Sequence, residues 1–167
     1  MNNFKFSKEE LKQIEKIKQR YLDKNSLLLP VLWMIQEKEG WISEEAMAYV
    51  GELLEIPYST VLGVASFYTM FNKKPKGKYH LQVCTNVSCM LRGAYEIFQY
   101  LSKKLGIKNN EITADGLFSL EEVECLGSCA TSPVIQVNNK EYYENLTKEK
   151  IDELIEKFRT HLVEKEF

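Results

Sequence analysis

The sequence predicts an α+β protein in which an N-terminal helical bundle is followed by a small α/β domain. Apolar residues recur at helical spacing up to residue 71, and alternating apolar residues typical of strands appear only after residue 78. The segment between them, NKKPKGK (72–78), contains the Asn, Pro and Gly residues that interrupt regular structure. We therefore predict an N-terminal helical domain at residues 1–74 and an α/β domain at residues 75–167.

Four helices are predicted in the first domain. A capping box of Ser7 and Glu10 begins the first helix. The second is expected to begin near Ser26 and to end at Gly40, because glycine favours the left-handed conformation of a C-terminal cap. The remaining predicted starts are Ser43 for the third helix and Pro57 for the fourth.

Several aromatic residues accompany these helices: Trp33, Trp41, Phe67, Tyr68 and Phe71. They would suit a docking surface for a partner protein. An aromatic stripe at helical spacing is more typical of a core, however. We therefore expect Trp33, Phe67 and Phe71 to be buried.

The second domain is predicted to follow the order β-α-β-β-β-α. Its segments are a strand YHLQVC (79–84), a helix SCMLRGAYEIFQYLSKKLG (88–106), a strand LFSLEEVEC (117–125), a hairpin of PVIQV (133–137) and EYY (141–143), and a helix from Thr147 through Leu162. His80, Glu121, Glu122 and Glu124 are expected to be solvent-facing strand residues.

Composition and charge exclude several classes of protein. The 167 residues are 44% hydrophobic and 28% charged, with a net charge of −2. That charge gives no footprint for nucleic acid and no polybasic patch for a membrane. The start lacks the pattern of a signal peptide, and the longest apolar run, SLLLPVLWMI, is too short to span a bilayer. We expect a cytoplasmic protein without membrane insertion, in which structural disulfides are rare.

The cysteines are the remaining candidates for a functional site. There are four, in two close pairs, Cys84 with Cys89 and Cys125 with Cys129. In a βαβ unit the carboxyl ends of the two strands meet at one edge of the sheet. Because Cys84 and Cys125 each end a predicted strand, the topology is expected to bring all four thiols to one corner.

The local sequence favours thiolates at this corner. Cys89 follows a predicted Ser88 cap at a helix N-terminus, where backbone N–H groups lower a thiol pKa. Gly127 allows a tight bend in which N–H groups point at sulfur. The apolar residues expected to cover the site are Val87, Met90, Leu126, Ala130 and Pro133. Four thiolates in such a place need a metal.

The spacing leaves the metal open. A four-cysteine zinc site tolerates these spacings, and a [2Fe-2S] cluster needs two ligands per iron, which two separated pairs provide. A Rieske centre is disfavoured, because only His80 and His161 exist and neither stands in a paired Cys-His spacing. A thiol–disulfide oxidoreductase is a further alternative, although the chain lacks the CxxC motif that such chemistry prefers.

The cysteine motifs CTNVSC (84–89) and CLGSC (125–129), separated by a helix and a strand, resemble those of the thioredoxin-like [2Fe-2S] ferredoxins. This family includes the 24-kDa subunit of respiratory complex I, in its NADH dehydrogenase module, and related subunits of NAD-linked hydrogenases and formate dehydrogenases. The segments LLPVLWMIQEKEGWIS and VLGVASFYTMF resemble the helical region of the same family. The resemblance covers the chain from about Ser7 to Leu162.

This resemblance implies a thioredoxin-like α/β domain whose four cysteines hold one [2Fe-2S] cluster. It also implies a larger flavoprotein partner that binds NADH and FMN. The cluster would accept electrons from the flavin of this partner, and the partner would have the substrate site that this chain lacks. Such a complex would place the chain at the cytoplasmic face of the membrane. Thioredoxin folds commonly hold a cis proline where Ser132–Pro133 precedes a strand, which makes a cis bond a hypothesis there, whereas the base rate for X–Pro bonds favours trans. The parent complex, and self-association of the isolated chain through its helical half, are left open.

Overall fold

The computed structural model describes the backbone of residues 4–163 and the side chains of residues 4–160. The chain forms two compact units, which meet between Pro75 and Lys76. The predicted division into an N-terminal helical domain at 1–74 and an α/β domain at 75–167 stays a prediction. Across residues 4–163, no helix is long and apolar enough to cross a membrane.

The first unit contains the four predicted helices and one 3₁₀ turn. Their bounds are α1 (Lys8–Lys18), the 3₁₀ turn (Lys24–Leu27), α2 (Leu28–Glu39), α3 (Glu44–Leu54) and α4 (Tyr58–Phe67). The capping box is confirmed, since Glu10 N donates to Ser7 Oγ at 3.2 Å and Ser7 N donates to Glu10 Oε2 at 2.5 Å. The predicted stop at Gly40 is also confirmed, with a left-handed φ of +79°.

The aromatic residues of this unit divide differently from the prediction. Phe71 is buried and Trp33 is half-buried against the same core. The prediction of a buried Phe67 is wrong, because its side chain is 78% exposed. Phe67 is the last residue of α4, and Tyr68 after it adopts an extended backbone.

The second unit is a five-stranded sheet with helices. Its elements are β1 (Tyr79–Cys84), α5 (Val87–Leu91), α6 (Ala94–Leu105), β2 (Glu111–Ile112), β3 (Phe118–Val123), β4 (Ile135–Val137), β5 (Glu141–Tyr143) and α7 (Lys148–Val163). The strand order is β2-β3-β1-β4-β5; β1 and β3 are parallel, and the other pairs are antiparallel. The α+β class is confirmed. The Leu162 side chain lies outside the described residues.

One predicted helix of this unit is in fact two. Gly93, with a left-handed φ of +89°, separates α5 from α6. The two helices therefore do not share one continuous apolar face, and Leu91, at the end of α5, is 79% exposed. The two-residue strand β2 was not predicted, because two residues carry no detectable alternation.

The prediction of a surface histidine in β1 is also wrong. His80 is 2% exposed, with Nδ1 2.9 Å from Ser119 Oγ. Its Nε2 lies 2.9 Å from Glu121 Oε2 without hydrogen-bond alignment, and Lys76 Nζ binds the same oxygen at 2.6 Å. Burial lowers the pKa of His80. The imidazole of His80, followed by the ammonium of Lys76, lowers the pKa of Glu121 to about 2. Glu121 is therefore part of a charged cluster rather than a solvated side chain.

Candidate metal centre

The parallel pairing of β1 and β3 places the two cysteine motifs at one edge of the sheet. Cys84, the last residue of β1, pairs in register with Val123, the last residue of β3. Thr85 N also donates to Val123 O at 3.1 Å. Cys125 follows two residues beyond this point. The predicted convergence of the two strand ends is therefore observed.

The first cysteine pair is buried. Cys84 and Cys89 are each 2% exposed and pack with Ala94 and Val134, with Leu126 against them. Cys84 N donates to Val134 O at 3.2 Å, so the strand that carries this cysteine is also fixed on its other side by the segment entering β4. This pair is built into the core of the second unit.

The prediction that the fold lowers the pKa of the Cys89 thiol is wrong. Helix α5 is only five residues long, too short for a substantial dipole, and Asn86 rather than Ser88 caps it. Burial and then the adjacent Cys84 thiol raise the pKa of Cys89 to about 11. Without a cation this thiol stays protonated, and metal binding must release its proton.

The second cysteine pair is exposed and lies on a loop. The Sγ atoms of Cys125 and Cys129 are 3.9 Å apart. Two thiolates on one tetrahedral ion, each at ~2.3 Å, would be ~3.8 Å apart. Gly127, with φ of +77°, directs its N–H to Cys125 Sγ at 3.4 Å. The predicted N–H donation to sulfur is confirmed.

Two side chains connect the motifs of the two pairs. Asn86, between the cysteines of the first pair, donates through Nδ2 to Glu124 Oε2 at 2.9 Å. Arg92, three residues after Cys89, donates through Nη1 to Ala130 O at 3.1 Å. Neither link was predicted, because the partners are 38 residues apart in each case and no local pattern relates them.

A second set of contacts holds the exposed loop from the side of β5. Glu144 accepts from the hydroxyls of Ser128 and Thr131, in the latter case at 2.6 Å. These hydroxyls lower the pKa of the Glu144 carboxyl, with the Ser128 hydroxyl contributing most. Tyr142 donates through its hydroxyl to Leu126 O at 3.3 Å. The loop is therefore shaped by the fold around it, although its thiols are exposed.

The apolar residues near the site differ from the predicted cover. Leu126 and Pro133 are in place, and the Ser132–Pro133 bond is cis, in agreement with the hypothesis drawn from the family resemblance. Val87, Met90 and Ala130 are exposed instead. An exposed apolar surface lies beside Cys89. We call it the α5 surface, and its residues are Val87, Met90, Leu91 and Tyr95.

The donor arrangement fits a centre with two metal ions. The four cysteines are unpaired, and 3.9 Å is far longer than a disulfide bond of ~2.05 Å. The thiols form two pairs, whereas a single zinc ion requires all four donors around one point. A [2Fe-2S] cluster needs two ligands for each iron.

Comparisons with known proteins identify the family. The family model described as thioredoxin-like [2Fe-2S] ferredoxin matches residues 14–159. An NADH-quinone oxidoreductase subunit of Rickettsia bellii is 47% identical over 162 residues, which are 95% of this chain and 96% of the relative. An NADH-quinone oxidoreductase subunit of Thermus thermophilus is 46% identical over 132 residues, covering 79% of this chain and 73% of that protein.

Among solved structures, an NAD⁺-reducing [NiFe]-hydrogenase in the air-oxidised state aligns with a TM-score of 0.67. The identity is 22%, and the alignment covers 78% of this chain but 23% of the hydrogenase chain. The chain thus spans about a quarter of that protein, and the likeness is one of fold.

Proposed function

The chain belongs to the thioredoxin-like [2Fe-2S] ferredoxin family, and from that premise we propose that it is the electron-transfer subunit of an NADH:quinone oxidoreductase. The predicted family is thereby confirmed. In this role the chain carries one [2Fe-2S] cluster on its four cysteines and has no substrate site of its own. It takes part in the NADH dehydrogenase reaction only as a component of the complex.

The observation that carries this proposal is the meeting of two cysteine pairs, one buried and one exposed, at the edge of a sheet. When bound, a [2Fe-2S] cluster stores and passes on one electron. Cys84 and Cys89 would hold one iron inside the fold. Cys125 and Cys129 would hold the other at the surface, where the Gly127 N–H offsets negative charge on sulfur. An electron could therefore reach the site without crossing the rest of the protein.

We propose that the partner is a larger flavoprotein subunit that binds FMN and NADH, and that its reduced flavin donates single electrons to this chain. The α5 surface supports such a partner, because it is apolar, exposed and begins two residues before Cys89. Exposed apolar clusters on a protein of this composition are typical of interaction sites. A partner docked there would bring its flavin close to the cysteines.

The choice among parent complexes rests on the relatives. Curated relatives covering 95% and 79% of the chain are NADH-quinone oxidoreductase subunits, whereas the hydrogenase shares only the fold. We therefore favour the quinone-reducing complex over a hydrogenase or formate dehydrogenase. We place the chain in the cytoplasm, at the face of the membrane in the assembled complex, because its relatives are named as NADH-quinone oxidoreductase subunits.

The test of the cluster is spectroscopy of anaerobically purified chain. We expect visible absorption bands, a spin-half EPR signal after reduction with dithionite, and about two irons and two sulfides per chain. A colourless protein that binds one zinc and cannot be reconstituted with iron and sulfide would contradict the proposal.

The test of the partner is binding to the FMN-containing subunit from the same complex, measured by calorimetry. Leu91→Glu places a charge in the α5 surface and is expected to weaken binding at least tenfold, or about 1.4 kcal/mol. Leu22→Glu is the matched control, because Leu22 is fully exposed in the other unit. Equal affinities for the two variants would exclude the α5 surface as the docking site.

A further inference from the structure

Arg92 is placed to join the two halves of the cysteine site. It follows α5, three residues after Cys89, at the junction with α6. Its Nη1 donates to Ala130 O at 3.1 Å and to Ser132 O at 3.5 Å. Ala130 directly follows Cys129, so one side chain connects the helix of the buried pair with the loop of the exposed pair.

Among the residues that the structure describes, no carboxylate forms an ion pair with Arg92. A guanidinium remains protonated at all ordinary pH values. Its two recorded hydrogen-bond acceptors are neutral carbonyls. Its positive charge therefore lies next to the Cys129 loop without an ion pair among these residues.

We propose that Arg92 is a positioning residue for electron transfer, which holds the Cys129 loop against α5 and raises the reduction potential of the site. This rests on the proposed function. Reduction adds one electron and one negative charge to a centre already ligated by thiolates, with no bond made or broken. A fixed cation stabilises the reduced form more than the oxidised form, and charge around a cluster is one of the factors that set its potential.

The potential is measured by redox titration of the isolated, cluster-loaded chain, followed by EPR. Arg92→Met removes the charge while keeping an unbranched side chain. We expect the ratio of reduced to oxidised chain at a fixed applied potential to fall about tenfold, equal to about 59 mV for one electron. Arg92→Lys keeps the charge and is expected to restore most of this ratio. Arg159→Met, which removes an arginine paired with Glu156 on α7, is the matched control and should leave the potential unchanged.

A second variant is expected to shift the reduction potential in the opposite direction. Glu124→Gln removes a negative charge beside Cys125 and keeps an oxygen that can accept from Asn86. We expect it to raise the potential. An unchanged potential in Arg92→Met would make Arg92 a structural residue only and would overturn the proposal.

Positioning is measured on the metal-free chain by amide hydrogen exchange. Thr131 N donates to Ser128 O at 3.2 Å within the loop that Arg92 contacts. Arg92→Met should speed exchange at Thr131 several-fold, with Arg159→Met unchanged. Equal exchange in both variants would refute the positioning role. A wild-type chain that never takes up iron would instead refute the proposed function, and this exchange experiment would still be interpretable.

Discussion

The two cysteine pairs differ in how the fold holds them. Cys84 and Cys89 are buried between a central strand, a helix and the segment entering β4, whereas Cys125 and Cys129 are exposed on a loop. The buried pair contributes to the core of its unit even without metal. The exposed pair is held by hydrogen bonds to its loop rather than by packing. Substitutions should therefore affect folding at the first pair and only the site at the second.

The largest difference is expected when each proposed ligand is replaced by alanine. In Cys84→Ala and Cys89→Ala, iron and sulfide should fall to near zero, because solvent has poor access to a buried position and cannot supply a replacement ligand. Cys125→Ala and Cys129→Ala should retain a labile, partly occupied cluster, since water reaches those positions. Iron and sulfide per chain, measured after anaerobic reconstitution, separate these outcomes. Full content in all four variants would show that the ligand assignment is wrong.

Strands β1 and β3, which lead to Cys84 and Cys125, are joined by a charged cluster of His80, Glu121 and Lys76 that should appear in the pH dependence of folding. The pKa of Glu121 falls from 4.5 to about 2 on folding, so its contribution is present above pH 4.5 and is lost as pH falls towards 2. The upper limit of this contribution is on the order of 3 kcal/mol. His80 acts in the same direction. Because its pKa is lowered from 6.5, the unfolded chain takes up a proton first, and stability falls as pH drops below 6.5.

Urea unfolding of the metal-free chain at several pH values measures this contribution. Glu121→Gln should flatten the loss of unfolding free energy below pH 4.5. Glu122→Gln, one residue along β3 and therefore on the other face of the strand, is the control and should keep the wild-type slope. If the unfolding free energy fell equally steeply with pH in both variants, the charged cluster would not be the cause of the acid sensitivity.

The parts of this comparison that the sequence predicted are those with a local signal. The alternation in YHLQVC and the spacing of the cysteines predict a strand ending at Cys84 and a convergence with Cys125, and both are observed. The cis Ser132–Pro133 bond followed from the family resemblance. None of these depends on knowing which distant residue packs where.

The parts that were missed depend on distant partners. His80 is buried because Ser119 and Glu121 approach it from a strand about 40 residues away, and Lys76 reaches Glu121 from the preceding segment. Arg92 connects to a loop 38 residues away. The difference in burial between the cysteine pairs has the same origin, because all four thiols look alike in the sequence. Only the packing of Val134 and Ala94 distinguishes the first pair.

A smaller effect separates the pairs in the absence of metal. Cys84→Ser buries a hydroxyl where a thiol packed against apolar atoms, and an unsatisfied buried hydroxyl costs about 1–3 kcal/mol. Cys125→Ser places the same hydroxyl in water, where surface substitutions usually change stability by less than ~0.5 kcal/mol. The free energies of unfolding of the two metal-free variants in urea test this. Equal losses would mean that the second pair also contributes to the core.

The smallest expected effect lies in the loop of the exposed pair. Gly127 has a left-handed φ of +77°, and a Cβ at this position would meet no atom within 4 Å. Gly127→Ala therefore introduces conformational strain without a clash, about 1 kcal/mol. Because the loop is held by hydrogen bonds rather than packing, we expect this strain to be relieved by local opening and not by global unfolding. The metal-free stability should stay near wild type, while iron loss to a chelator should accelerate about fivefold, the rate equivalent of ~1 kcal/mol.

The control for this loop is Gly127→Asn, since asparagine tolerates the left-handed conformation, and it should lose iron more slowly than the alanine variant. Both variants add a side chain in open space, so a difference between them reports backbone strain rather than bulk. If Gly127→Ala instead destabilised the metal-free chain as much as Cys84→Ser, the loop would unfold together with the core. The proposed difference between the buried pair and the exposed pair would then be wrong.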